Sequence, residues 1–293
     1  MTHFSRRATA LLLALLALLT ALGAATAEDA PKNAPFNLLL IGVDAYQPED
    51  AGRSDAMILA QITPETGDIK LVSFLRDLYV SVPGHGKTRL NAAYFYGGAE
   101  LLRQTLEKSF GVRVDRTLAV NFSLMAELID QIGGVDVEVS EKELVQLNSI
   151  LKFYNKKNGA GETDGLLKEA GLQHLTGKQA LSFSRIRKID SDFQRASRQH
   201  LVLLGVLRQL TQLDFVSLAK LATANLYRVE TDIRLEDVNR LLPLMMNAAD
   251  LRMRSTRVPF DGTFSDETIN GMMVLVANLD QNRRLVRDFL AEE

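Results

Sequence analysis

Short apolar runs and amphipathic stretches alternate along this chain, and each implies a different element. Phe36–Val43 is brief, apolar and rich in Leu, Ile and Val, the mark of a buried strand. Ala56–Thr63 and Asp68–Leu75 predict two further strands, joined at the turn signal Pro64-Glu65-Thr66-Gly67. A loop holding Pro83, Gly84 and Gly86 leads to a helix near Ala99–Phe110, with Leu102, Leu106 and Phe110 on one face. A second helix near Phe122–Ile132 stops at Gly133-Gly134 and gives way to a strand at Val135–Val139. From Glu141 to Ala170 the pattern weakens, which predicts a variable excursion with some helix. Thr176-x-x-Gln179 has the form of a capping box before a short helix. Phe183–Ile189 is predicted to be extended, and Asp192 to cap a long helix ending near Leu213. A helix around Leu235–Ala249, strands near Met253–Pro259 and Met272–Leu279, and a helix from Asp280 complete an α/β pattern.

The first residues change the picture of where the chain works. Arg6 and Arg7 precede an uncharged Leu/Ala run from Ala8 to Ala27 that ends in Ala25-Thr26-Ala27. That order fits a signal peptide, and a run of roughly 20 apolar residues also fits an uncleaved anchor. Both readings of residues 1–27 deliver everything after Asp29 to the outer face of the membrane, with residues 28–35 as a tether. The sequence holds no cysteine, which excludes disulfides, thiol chemistry and cysteine-ligated metals. The formal charge is −2 and no long basic run occurs, which argues against a nucleic-acid partner.

The polar residues that interrupt the apolar runs are mostly charged. If the first three strands form an antiparallel meander, one edge gathers Asp44, the pair Arg53 and Asp55, and Arg76 with Asp77. Two carboxylates without thiolate or paired imidazole make a hard oxygen site, suited to Mg²⁺ or Mn²⁺. Neighbouring arginines offer planar forks for phosphate oxygens, and Lys87, Arg89 and Asn91 add donors. A second cluster follows: Arg185 and Arg187 two apart on an extended stretch, then Arg195 and Gln199 on one helix face. Each pair read alone is an ordinary surface salt bridge. Read together, four or more arginines beside a divalent cation suit a pyrophosphate. Gly86-Lys87-Thr88 resembles the end of a P-loop, but Ser81 occupies the first glycine position. A serine hydrolase would need Gly-x-Ser-x-Gly, which is absent, and the four histidines are scattered.

These blocks resemble the LytR–CpsA–Psr family of envelope proteins. The matching segments are Gly42-Val43-Asp44, Arg53-Ser54-Asp55-Ala56-Met57, Ser73-Phe74-Leu75-Arg76-Asp77, Leu90-Asn91-Ala92-Ala93-Tyr94 and Gly133-Gly134-Val135-Asp136-Val137. Leu181-Ser182-Phe183-Ser184-Arg185-Ile186-Arg187 and Asp192-Phe193-Gln194-Arg195-Ala196-Ser197-Arg198-Gln199 complete a succession spanning about residues 36–213. The expected fold is an α-β-α sandwich: a central mixed, largely antiparallel sheet flanked by helices, in one catalytic domain over 36–293.

The resemblance implies a phosphotransferase that moves a glycopolymer from a polyprenyl-pyrophosphate carrier onto peptidoglycan at the membrane surface. It implies that Asp44 and Asp55 bind Mg²⁺. It also implies that Arg53, Arg76, Arg185, Arg187, Arg195 and Gln199 surround the pyrophosphate, with Lys87 and Asn91 as further ligands and Asp77 as a candidate base or as the partner of Arg76. Leu75 stands where the family usually has proline, Lys87 and Arg89 compete for one position, and residues 141–170 match loosely. A lipid pyrophosphatase would use the same site with water as acceptor. A non-catalytic carrier-binding regulator is the third reading, and export makes direct DNA contact unworkable for it.

Overall fold

The computed structural model describes residues 34–44, 52–157, 159–187, 189, 192–210, 212–213, 215–225, 228–234, 236–237, 240–241 and 252–292. The export segment at 1–27 lies outside the described residues, as does most of the helix expected around Leu235–Ala249. Among the described residues no helix is long and apolar enough to cross a membrane. The described residues form two compact units, those within 1–121 and 214–293, and those within 122–213.

The first unit is built on a mixed six-stranded sheet. Its first strands are β1 (Phe36–Val43), β2 (Ser54–Thr63) and β3 (Asp68–Phe74), each paired antiparallel to the next. This is the meander expected from the apolar runs. β2 and β3 are buried along most of their length, as their near-continuous Ile, Leu and Val content requires of central strands. The segment expected as a loop contains a hairpin, β4 (Tyr79–Val82) and β5 (Gly86–Arg89). Gly86-Lys87-Thr88 is therefore strand and not a phosphate loop.

Helix α1 (Asn91–Phe110) begins eight residues earlier than its apolar stripe suggests, with a break at Gly97-Gly98. Gly98 has φ +63, a conformation that glycine adopts without steric cost. Leu102, Leu106 and Phe110 are fully buried, and Phe110 packs against Phe74 with centroids 5.1 Å apart. β6 (Arg116–Asn121), which the sequence pattern did not reveal, pairs parallel to β1.

The second unit alternates α2 (Phe122–Gln131), β7 (Val135–Val139), α3 (Glu141–Lys157), β8 (Gly171–Leu175), α4 (Gly177–Ser184) and α5 (Asp192–Leu210). Thr176 and Gln179 form the expected capping box at the start of α4. Gly177 is required by packing: a Cβ there would stand 1.8 Å from the Ala126 carbonyl oxygen of α2. The chain then returns to the first unit with α6 (Phe215–Asn225), β9 (Glu230–Thr231), β10 (Arg252–Val258), β11 (Phe264–Ile269), β12 (Met272–Ala277) and α7 (Leu279–Ala291). β10 adds parallel to β3 and β9 antiparallel to β6, giving the order β10-β3-β2-β1-β6-β9. The α/β class with a central mixed sheet and accompanying helices is as expected.

Candidate functional site

The end of β1 and the start of β2 set the geometry of the first cluster. Gly42 lies opposite Ala56 and Val43 opposite Ser54, which leaves Asp55 as the extra residue of a β-bulge. A bulge bends the strand and re-aims the side chain it carries. The Asp44 N–H donates to the Arg53 carbonyl at 2.9 Å, so Asp44 and Asp55 belong to the same end of the β1–β2 pair.

The chain leaving β3 reaches that end from the neighbouring strand. Arg76 Nη1 donates to Asp55 Oδ1 at 2.7 Å, and its Nε donates to Asp77 Oδ2 at 3.3 Å. Arg89, at the end of β5, donates through Nη1 to Asp77 Oδ1 at 3.0 Å. Two carboxylates thus hold two guanidinium groups in a partly water-excluded network, where charge pairs act more strongly than on an open surface. Of Lys87 and Arg89, Arg89 joins the network, and Lys87 is exposed on β5.

Asn91 opens α1 with its N–H donated to the Arg76 carbonyl at 3.1 Å. It is 3% exposed, and its side-chain Oδ1 is buried without a hydrogen-bond partner. Arg53 is exposed, with its Cζ 5.7 Å from the centroid of Phe95.

The residues fit a magnesium ion in kind. Among the described residues no group of three or more His, Cys, Asp or Glu gathers as a closed metal site would require. Mg²⁺ instead takes one or two carboxylates, keeps several waters and shares its remaining positions with substrate phosphates. Asp44 and Asp55 supply such a pair.

The second cluster belongs to the second unit and differs from expectation. Arg185 and Arg187 do not lie on an extended stretch, because α4 runs to Ser184 and Arg185 caps it with φ −100 and ψ −1. The capping box and the burial of Leu181 and Phe183 drive the segment helical, overriding a local alternation that reads as strand. The Arg185 guanidinium lies over the Phe122 ring at 4.3 Å, and Arg187 is exposed two residues on. On α5, Arg195 is buried at 4% exposure and Gln199 follows one turn later, half-buried.

Arg198 is the residue whose role the sequence left unassigned. It is 2% exposed, donates to Glu143 Oε1 at 3.1 Å, and donates through Nη2 to the Ile186 carbonyl at 3.0 Å. It therefore pins the peptide between Arg185 and Arg187. The available signal was a second arginine one turn after Arg195 in the same helix.

Burial pushes His200 down to about 4, so it is neutral near pH 7. His174 Nδ1 lies 2.6 Å from Asp136 Oδ1, with its other ring nitrogen against the Gly133 carbonyl. Those two contacts raise its pKa. Burial and then the Glu230 carboxylate raise the Tyr94 hydroxyl, which donates to Glu230 Oε2 at 2.7 Å.

A family model described as LytR_cpsA_psr matches residues 20–288, beyond the span carried by the motifs. A polyisoprenyl-teichoic acid–peptidoglycan teichoic acid transferase TagU of Enterococcus faecalis is 33% identical over 213 residues, covering 71% of this chain and 64% of the relative. The TagU of Oceanobacillus iheyensis is 32% identical over 258 residues, covering 85% and 73%. The chain thus spans under two thirds of the first relative's length and somewhat more of the second's. A solved structure described as TagT bound to LIIa-WTA superposes with a TM-score of 0.72 at 27% identity, over 91% of this chain and 93% of that one.

Proposed function

The chain belongs to the LytR–CpsA–Psr family, and from that premise we propose that it is a phosphotransferase. Its reaction is transfer of a glycopolymer from a polyprenyl-pyrophosphate carrier to a hydroxyl of peptidoglycan, outside the cell membrane. The observation that carries this reading is the ion-paired edge of Asp55, Arg76, Asp77 and Arg89, which assembles charge at one end of a rigid sheet. The names of the relatives, which describe teichoic acid transfer to peptidoglycan, support the same reading.

In this reaction the acceptor oxygen bonds to the phosphorus that carries the glycan. The bridging P–O bond breaks, polyprenyl monophosphate leaves, and the hydroxyl proton is lost from the acceptor. The pyrophosphate is itself the activated bond, so no nucleotide is consumed. Arg76 is held in a fixed orientation by two carboxylates, ready to take phosphate oxygens without reorganising. Asp77 accepts from both Arg76 and Arg89, which makes it a positioning residue for the two guanidinium groups. Asp44 and Asp55 would hold Mg²⁺, which when bound neutralises charge on the phosphate oxygens. Arg53, Lys87 and Asn91 would supply further donors at this end of the first unit's sheet, and Arg185, Arg187, Arg195 and Gln199 are candidate phosphate ligands within the second unit.

The test is incubation of the full chain with a lipid-pyrophosphate-linked glycan, with and without peptidoglycan and Mg²⁺, beside Asp55→Ala. Glycan bound covalently to the wall, lost in the variant, is the expected product. Free glycan phosphate formed equally without peptidoglycan would instead identify a pyrophosphatase. Absence of any product would leave carrier binding as the function.

A further inference from the structure

The first unit carries an exposed row of aromatic groups for which the proposed chemistry has no use so far. Phe95 and Tyr96 lie on α1 just before its break, each 45% exposed, while Ala92 and Ala93 of the same turn are buried. The rings touch edge to face, with centroids 5.7 Å apart and planes at 68°. Tyr96 stacks on His85 at 4.3 Å and 6°, His85 being at the tip of the β4–β5 hairpin. At the other end the Arg53 guanidinium lies 5.7 Å from the centre of Phe95. Arg53 is two residues from Asp55, the carboxylate that holds Arg76. The row therefore begins at the charged edge and runs outward along the surface.

Large aromatic side chains gain by burial, and nothing in the packing of α1 calls for two of them at exposed positions. The helix is anchored by small residues here and by Tyr94, whose hydroxyl is tied to Glu230. The row lies open on the surface, with the Phe95 and Tyr96 planes at 68° to one another and a phenol, an imidazole and a guanidinium along it. An isoprenoid chain is best desolvated in an enclosed apolar groove. A pyranose ring instead presents a C–H face to an aromatic face, while its hydroxyls seek polar groups at the edge.

We propose that Arg53, Phe95, Tyr96 and His85 form a sugar-binding ledge for the first ring or rings of the pyrophosphate-linked glycan. The proposal rests on the pyrophosphate reading for its orientation: a sugar joined directly to phosphate at the charged edge extends onto the adjoining ledge. The ledge then discriminates carriers that bear a sugar from carriers that do not.

The experiment measures binding of farnesyl pyrophosphate and of farnesyl-pyrophosphoryl-N-acetylglucosamine to the full chain and to its Phe95→Ala and Tyr96→Ala variants. Saturation-transfer NMR with the methyl glycoside of an N-acetylglucosamine disaccharide is run alongside. The variants should bind the sugar-free carrier as wild type does, and the sugar-bearing carrier about fivefold to tenfold more weakly. Wild type should pass saturation to the ring C–H protons of the glycoside, and the variants should not. Equal weakening of both carriers would overturn the proposal, because the row would then serve the lipid, the phosphates or the fold. No weakening of either would overturn it too. If wild type binds neither carrier, the pyrophosphate reading fails and the glycoside signal alone decides for or against the ledge.

Discussion

The two charged clusters are built on opposite principles. At the sheet edge of the first unit, Arg76 and the hairpin's Arg89 are held by Asp55 of β2 and by Asp77 just after β3. In the second unit, the arginines occupy a helix end, a short turn and the next helix. Arg185 lies over an aromatic ring and Arg198 binds a backbone carbonyl. The first arrangement makes orientation depend on charge pairing, and the second adds an aromatic face, burial and a backbone carbonyl to the Arg198–Glu143 pair. Substitutions should therefore separate chemistry from stability in the first cluster and confound them at the buried Arg198 of the second.

The largest expected effect is at Arg76. Arg76→Ala removes the group that both carboxylates orient, and turnover should fall by about 10² to 10³. A thermal melt should move less than for Arg198→Ala, because the Arg76 side chain is a fifth exposed and that of Arg198 only 3%. A large loss of stability would mean that the edge is a structural ion-pair network.

Gly177→Ala and Arg198→Ala sharpen the contrast from the other side. The alanine methyl at 177 meets the Ala126 carbonyl, and the unit should lose about 3 kcal/mol or more in denaturant titration. Arg198→Ala leaves Glu143 without this buried partner and releases the Ile186 carbonyl, at a cost of about 3 kcal/mol. Its turnover should fall as well, through loosening of the turn that carries Arg185 and Arg187. Arg185→Ala should impair turnover with little change in the melt.

A smaller effect is expected at Leu75, where the family usually has proline. The Leu75 N–H donates to the Val258 carbonyl at 2.9 Å, a bond that proline cannot make. Leu75→Pro should cost about 1 to 3 kcal/mol in a melt while leaving Arg76 in place.

The smallest effect belongs to His174. Its pKa is raised, so its contact with Asp136 stabilises the fold fully below the ordinary value of 6.5 and loses that contribution as pH rises through the higher folded value. Both side chains are more than half exposed, so solvent screening keeps the step slight. A pH series of melts should show a shallow decline as pH rises above 6.5 that His174→Ala abolishes.

How much of this was legible beforehand follows the same divide. The meander could be read because Phe36–Val43 and the next two runs are apolar, short and bounded by strong turn residues. Once the strands alternate in direction, Asp44, Asp55 and Arg76 must share an edge. The bulge at Asp55 was not legible, since nothing in Ser54-Asp55-Ala56 marks an extra residue. The β4–β5 hairpin was hidden by its brevity and its glycines. In the second unit, alternating Arg185 and Arg187 imitated a strand, while the capping signal eight residues earlier correctly announced a helix whose length it did not specify. The position of Arg198 against Ile186 is a tertiary fact that helical spacing alone does not disclose.

The most direct test is a double-mutant cycle on kcat/KM for Mg²⁺-dependent cleavage of a short polyprenyl pyrophosphate, using Arg76→Lys, Arg89→Lys and the pair together. Lysine keeps the charge and removes the fork. If the network joined through Asp77 serves phosphoryl transfer as one unit, each single variant loses activity and the double variant departs from the product of the two losses, with a coupling of about 0.5–3 kcal/mol. Independent effects, or full activity in either single variant, would contradict that account.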